Sequence, residues 1–293
     1  MAVLISDKFC EWQNDCEKRF NKLKANEEEL NRCFISAYGL DNEITPDVDE
    51  KDVTVRKADL QREIKSLISY AIGCIFGRYS VDCDGLCFAG GEWHDELYKT
   101  IIPTKQNVLP IGIDKYNNDL TSQIVNFIEK IYGSETLDEN LQFIADVLDG
   151  DGEPRKVIEK YLLLSFFSDH CKIYHRKPIY WLFTTSRKCG FKAIVYMHRW
   201  NEGTLTAVNE RVAELAGIYH GKINELQEKM NFSEPAKRIS LRRELNKYKD
   251  KYSGLLEYSS KIAAHELNEP EIDLDDGVKS NYEKYSDVLE RIK

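Results

Sequence analysis

The sequence predicts a mainly α protein of α+β type: a helical body with a small β-hairpin subdomain and a long antiparallel helical hairpin. Three observations predict it. Apolar residues recur three, four or seven apart over most of the chain, which is helical spacing. Two β-rich runs, 179–183 and 191–196, flank one polar connection and read as a hairpin. Charged residues make up 31% of the 293, above the usual quarter, which favours long solvated helices over a compact barrel.

The elements follow in order. Phe9, Trp12, Cys16, Phe20, Leu23, Leu30 and Phe34 form one stripe on a long helix that stops near Gly39. Residues 41–56 are acidic, contain Pro46 and show no period, so they read as a connecting loop. A second helix, about 57–76, carries Leu67, Ile68, Ala71, Ile72, Ile75 and Phe76 and is expected at the centre. From Gly77 to Pro110 the signals are irregular, with one short strand expected near 86–89. Leu120, Ile124, Phe127, Ile128 and Ile131 mark a helix ending at Gly133, and Thr136 with Glu139 reads as a capping box opening the next, to about Leu148. Pro154 opens a third, whose run from Val157 to Phe167 is apolar nearly all round and is expected to be buried.

The hairpin spans about 178–198. Beyond it, Leu205, Val208, Val212, Leu215, Tyr219, Ile223, Leu226 and Met230 alternate three and four apart. The pattern resumes at Leu241, Leu245, Tyr248, Tyr252, Leu255 and Ile262, with Ser233 beside Pro235 suited to start the second arm. This predicts an antiparallel coiled-coil hairpin with arms roughly 40 Å long. The expected division is 1–56 (helix and acidic linker), 57–202 (helical core with the β-hairpin), 203–266 (helical hairpin) and 267–293 (capping segment).

A net charge of −9 and pI near 5.4 argue against a protein that coats DNA nonspecifically, but they permit a local basic patch. The eight cysteines include no CxxC pair, and Cys83 and Cys87 have no matching pair at zinc-site distance, so no metal is expected. A reduced, cytoplasmic protein is expected, with no signal peptide, membrane span or membrane partner. Gly90-Gly91 reads as a tight turn rather than a cofactor loop, and no cofactor-binding residue is expected. All seven prolines are isolated, so the Asn/Asp-Pro-Pro-aromatic motif of amino-methyltransferases is absent and the chain is not expected to be catalytic on its own. Glu63-Ile64-Lys65 falls on a helix and not on the strand a nuclease would use. The acidic runs from Asp149 and Asp273 lack the glycine and glutamate of a calcium loop. The six histidines form no ligand pair, and Asp169-His170 has no nucleophile beside it.

One cluster stands out in this acidic chain. Lys172, His175, Arg176 and Lys177 are followed by Arg187 and Lys188 in the hairpin turn and by His198 and Arg199, with Tyr174, Tyr180, Trp181, Tyr196 and Trp200 interleaved. Such cations could hold phosphates of double-stranded DNA while the turn approaches a groove. They could equally form a basic rim around an aromatic core hairpin. A second run, Lys237 to Lys251, is interspersed with Glu and reads as a solvated helix face.

Several blocks, in order, resemble PglX-type adenine-specific DNA methyltransferases of BREX systems and related single-chain type II restriction–modification enzymes. They are Asn26 to Arg32 with Ala37-Tyr38-Gly39-Leu40; Ile68 to Cys74 with Phe76-Gly77-Arg78-Tyr79-Ser80; Arg176 to Phe183; Tyr196-Met197-His198-Arg199; and Ile272 to Lys279. The resemblance covers about 26–293. It implies the non-catalytic, carboxy-terminal part of an enzyme that uses S-adenosylmethionine to methylate adenine N6 in phage defence. The cofactor-binding and catalytic half has no counterpart here, so the chain is expected to be a truncated form, a split gene product or a remnant. Two roles remain open: DNA binding and target recognition through 172–199, or docking of the catalytic half or another defence protein through the helical hairpin.

Overall fold

A computed structural model describes residues 3–112, 115–116, 118–185, 189–268, 272–273 and 277–292. Helix α1 (Ile5–Tyr38) runs the length its stripe predicts and stops at Gly39, whose φ of 70° is the left-handed conformation that ends many helices. Its start is anchored: the Ile5 N–H donates to Asn140 Oδ1 at 2.8 Å, and Asn140 Nδ2 donates to the Val3 carbonyl at 3.1 Å. Phe20 is buried, yet Leu30, Phe34 and Tyr38, which continue the same stripe, are 57%, 60% and 75% exposed. Residues 41–56 form neither helix nor strand and lie back along α1, with Asn31 donating to the Pro46 carbonyl.

Helix α2 (Leu60–Ile75) starts on Asp59, whose carboxylate accepts the Arg62 N–H at 2.7 Å. It is central, as its composition predicts, with Ile64, Ile68, Ala71, Ile72, Cys74 and Ile75 all buried. Helices α3 (Leu120–Tyr132), α4 (Leu137–Val147), α5 (Pro154–Tyr161) and α6 (Phe167–Ile173) pack around it. Two expectations need correction here. The Thr136 hydroxyl faces the Val3 and Tyr132 carbonyls instead of capping α4, so the capping box does not form. The run after α5 is also not one buried α-helix: Leu162–Phe166 is a π-helical turn, and Leu164 is 68% exposed. A π turn accommodates an extra residue, and here Leu164 and Ser165 are exposed while Leu162 and Phe166 stay buried.

Strands β1 (Val108–Pro110), β2 (Tyr180–Thr184) and β3 (Lys192–Tyr196) form an antiparallel sheet in the order β1-β3-β2. The predicted hairpin is present, with Tyr180 opposite Tyr196 and Thr184 opposite Lys192. The strand expected near 86–89 is absent, and the strand in that region is β1. It forms because Asn107 clamps β3, donating to the Tyr196 carbonyl at 2.9 Å and accepting its N–H at 3.3 Å. Pro110, which lacks an N–H, is tolerated because β1 is an edge strand. Burial on both faces explains the nearly continuous apolar runs of β2 and β3.

Helices α7 (Thr204–Asn231) and α8 (Pro235–Leu267) form the long antiparallel hairpin. Glu234, not Ser233, occupies the N-cap of α8. Leu205, Val208, Val212, Leu215 and Tyr219 of α7 join the main core with Leu255, Tyr258 and Ile262 of α8, while Ile223, Leu226 and Leu245 form a small cluster towards the tip. A short helix, α9 (Val278–Lys284), precedes a segment that returns to the sheet. There Thr184 N–H donates to the Val288 carbonyl, Glu290 N–H donates to the Leu182 carbonyl, and Phe183 bridges Leu289. Among the described residues no helix is long and apolar enough to cross a membrane.

Candidate nucleic-acid interface

Helix α6 ends at Tyr174, and the chain turns through two left-handed residues, His175 (φ 51°) and Arg176 (φ 63°). The turn is closed by Arg176 N–H donating to the Cys171 carbonyl at 2.7 Å and Lys177 N–H to the Tyr174 carbonyl at 2.9 Å. Left-handed conformations cost L-residues roughly 1–2 kcal/mol each and concentrate at functional sites. The strain projects His175, Arg176 and Lys177 into solvent, and Lys172, one turn earlier, is exposed beside Asp169 at 3.5 Å. Exposed pairs of that kind contribute little, so Lys172 keeps most of its capacity for another anion.

The other basic candidates are placed differently. Arg187 and Lys188 lie outside the described residues. Arg199 turns inward: Nη1 donates to the carbonyls of Phe76 (3.2 Å) and Thr104 (2.9 Å), Nη2 to that of Lys105 (3.3 Å), and its guanidinium sits 4.7 Å from the Trp93 ring centre. It ties the end of α2 to the segment leading into β1. His198 is half-buried against Tyr196, and burial, aided by the charge of Arg78, lowers its pKa. The structure thus keeps 172–177 together at one exposed turn and commits Arg199 to internal bonds.

A residue not singled out among the basic candidates stands beside this turn. Arg78 follows α2, its Nε donating to Tyr79 Oη and its Nη1 to Tyr196 Oη, both at 3.1 Å. Its charge also acts on the neighbouring Tyr174, opposing the rise in that hydroxyl's pKa that burial causes. No carboxylate pairs with Arg78 among the described residues. The available signal was the Phe76-Gly77-Arg78-Tyr79 block, a cation with no acidic neighbour nearer than Asp82.

Around Arg78 lies a nest of rings that includes His170, only 2% exposed. Its Nε2 accepts the N–H groups of Ile179 (3.1 Å) and Tyr180 (3.2 Å), which places the remaining proton on Nδ1. Burial first, and Arg78 second, push its pKa down to about 3, so it is neutral at physiological pH. His170 Nδ1, Tyr180 Oη and His198 Nδ1 are enclosed without hydrogen-bond partners, and a buried polar group left so costs about 1–3 kcal/mol.

The sulfurs of Cys83 and Cys87 lie 3.3 Å apart, and no metal-binding cluster occurs among the described residues. The Gly90-Gly91 turn follows no strand and is followed by the single turn Asp95–Leu97, so it does not form the strand–turn–helix cradle that S-adenosylmethionine would need there.

A mainly helical module with a strained basic turn beside an uncompensated arginine is what the fold and site define. No family model matches the chain. It is 41% identical over 289 residues to the adenine-specific methyltransferase PglX of Lacticaseibacillus casei (strain Zhang), an alignment covering 94% of the chain and 24% of that protein. It is 36% identical over 246 residues to the adenine-specific methyltransferase BrxX of Escherichia coli O9:H4 (strain HS), covering 78% and 20%. The chain corresponds to a region of PglX-type adenine-specific methyltransferases and spans only about a fifth to a quarter of the length of these relatives.

Proposed function

We propose that this chain is a non-catalytic, DNA-contacting region of a PglX-type enzyme that methylates adenine N6 in phage defence. S-adenosylmethionine is used by the part of the enzyme this chain does not resemble. The observation that carries the reading is the exposed turn. In a chain of net charge −9, Lys172, His175, Arg176 and Lys177 gather where the backbone is held in two left-handed residues. Backbone phosphates pair with these cations.

A salt series of fluorescence anisotropy on a labelled duplex tests it. Each phosphate contact adds roughly one unit to the slope of log affinity against log salt. Arg176→Glu with Lys177→Glu is expected to weaken binding by at least tenfold and to flatten that slope by about two. Equal affinity and slope in the double variant would sink the reading.

The second reading is a docking module for the catalytic part or another defence protein, inside the same cytoplasmic compartment. It is favoured by the exposed Leu30, Phe34 and Tyr38 of α1 and by Phe232, 92% exposed at the hairpin tip. A chain that leaves DNA unbound at low salt, yet co-purifies with the separately expressed remainder of the enzyme, would favour it.

A further inference from the structure

We propose that the ring nest around Arg78 is a binding site for a phosphoryl oxyanion, which completes the charge of Arg78 and takes up the unpaired donors beside it. The inference rests on the DNA-contacting reading for the source of that group, but not for the site itself.

Two independent observations carry it. The first is the charge. A partly buried guanidinium ordinarily meets a carboxylate, because a charge removed from water needs a counter-ion. Arg78 instead meets hydroxyls: Tyr79 and Tyr196 accept from it at 3.1 Å, and Tyr196 in turn donates to the Phe88 carbonyl at 2.7 Å. Two donor nitrogens are thereby fixed in direction, while no ion pair to Arg78 forms among the described residues. Such an arrangement orients a cation without neutralising it, as a planar fork for phosphate requires.

The second observation is the set of unsatisfied polar atoms in the same nest. Tyr180 is 1% exposed and its hydroxyl has no partner; His170 Nδ1 carries a proton and has none either. Both belong to one packed group, with ring centres 4.9 Å apart for His170–Tyr180, 5.5 Å for Tyr180–Tyr196 and 4.4 Å for His170–Tyr174. These are donors, and a tetrahedral oxyanion offers several acceptors at once. Gly73 lies on the same side: a Cβ there would come within 2.5 Å of the Tyr79 ring and 3.3 Å of Tyr180 Oη. A glycine inside a buried helix is unfavourable, and here it lets the Tyr79 ring pack directly against the α2 backbone beside the Tyr180 hydroxyl. The strained turn at His175 and Arg176 follows Tyr174, whose hydroxyl feels the charge of Arg78.

The phosphoryl group could come from a DNA strand or from a free phosphate, and the test separates them. Inorganic phosphate is titrated at constant ionic strength against chloride, following the Arg78 Nε–H and His170 Nδ1–H resonances of the full chain. Saturable movement of both with phosphate but not chloride is expected, abolished in Arg78→Met and weakened at least tenfold in Tyr180→Phe. The latter removes only the unpartnered hydroxyl and leaves the buried ring in place, so folding is preserved. In a second arm, Arg78→Met is expected to lower duplex affinity about tenfold and to reduce the salt slope by about one unit. Movement with phosphate but unchanged duplex affinity assigns the site to a free phosphoryl ligand. Resonances unmoved by phosphate, with duplex affinity equal in wild type and Arg78→Met, overturn the site while leaving the 172–177 reading standing or falling by its own double variant.

Discussion

One half-buried and one buried side chain show how a basic residue's surroundings decide its role. Arg199 makes three charge-assisted hydrogen bonds to carbonyls of two segments and stacks on Trp93. Arg199→Met keeps the stem but leaves those carbonyls unserved, so we expect a loss of about 2–3 kcal/mol in urea denaturation with the exposed 172–177 turn unaffected. A change below about 0.5 kcal/mol would show that the staple is dispensable. His170 makes a pH prediction. Its folded pKa of about 3 lies below the unfolded value of 6.5, so the unfolded chain binds the extra proton between them. The stability it contributes is complete above pH 6.5 and is lost as pH falls towards 3, at up to about 1.4 kcal/mol per pH unit. His170→Gln keeps an acceptor for the two backbone N–H groups but does not titrate. Melting temperature between pH 7 and 5 is expected to fall in the wild type and to stay nearly level in this variant; parallel curves would refute the assignment.

The helices show what periodicity encodes and what it does not. The stripes from Phe9 to Phe34 and from Leu205 to Ile262 were legible, because a long amphipathic helix repeats its signal many times. Strand β1 was not: it is three residues long and contains a proline, and only the Asn107 clamp on β3, distant in sequence, makes it a strand. The π turn at Leu162–Phe166 left no mark either, since its apolar residues also fit an α-helix. The basic turn was legible as clustered charge, but the inward course of Arg199 depended on carbonyls brought together by tertiary folding. Arg78 did not stand out among the basic candidates because, besides the adjacent Tyr79, the partner that fixes it is Tyr196 of a later strand. Glycines in the hairpin give an element-level test. A Cβ at Gly221 on α7 meets nothing within 4 Å, whereas one at Gly254 on α8 would fall 2.2 Å from Cys189 Sγ. Gly221→Ala should therefore stabilise by up to about 1 kcal/mol through helix propensity. Gly254→Ala should destabilise by about 1–3 kcal/mol through overpacking, with recovery when Cys189→Ala is added. Equal shifts in thermal denaturation would show that α8 has room to move.

At the scale of the molecule, a net charge of −9 sets the local cations against a repulsive background. DNA affinity is therefore expected to depend on the turn and on the neighbouring Arg78, and to vanish above moderate salt. The segment after α9 matters at this scale in another way. By donating Glu290 N–H to Leu182, accepting from Thr184 at Val288 and seating the buried Val288 and Leu289, it lies along the outer side of β2. Without it, β2 would present Tyr180, Trp181, Leu182 and Phe183 on an open backbone edge, the kind of template on which a foreign strand assembles. Trimming residues 286–293 should convert a well-behaved chain into one that forms oligomers visible by light scattering, even while far-ultraviolet circular dichroism still reports its helices. The last few residues thus act as a stopper against self-association: a nick there would threaten solubility before it threatened the fold.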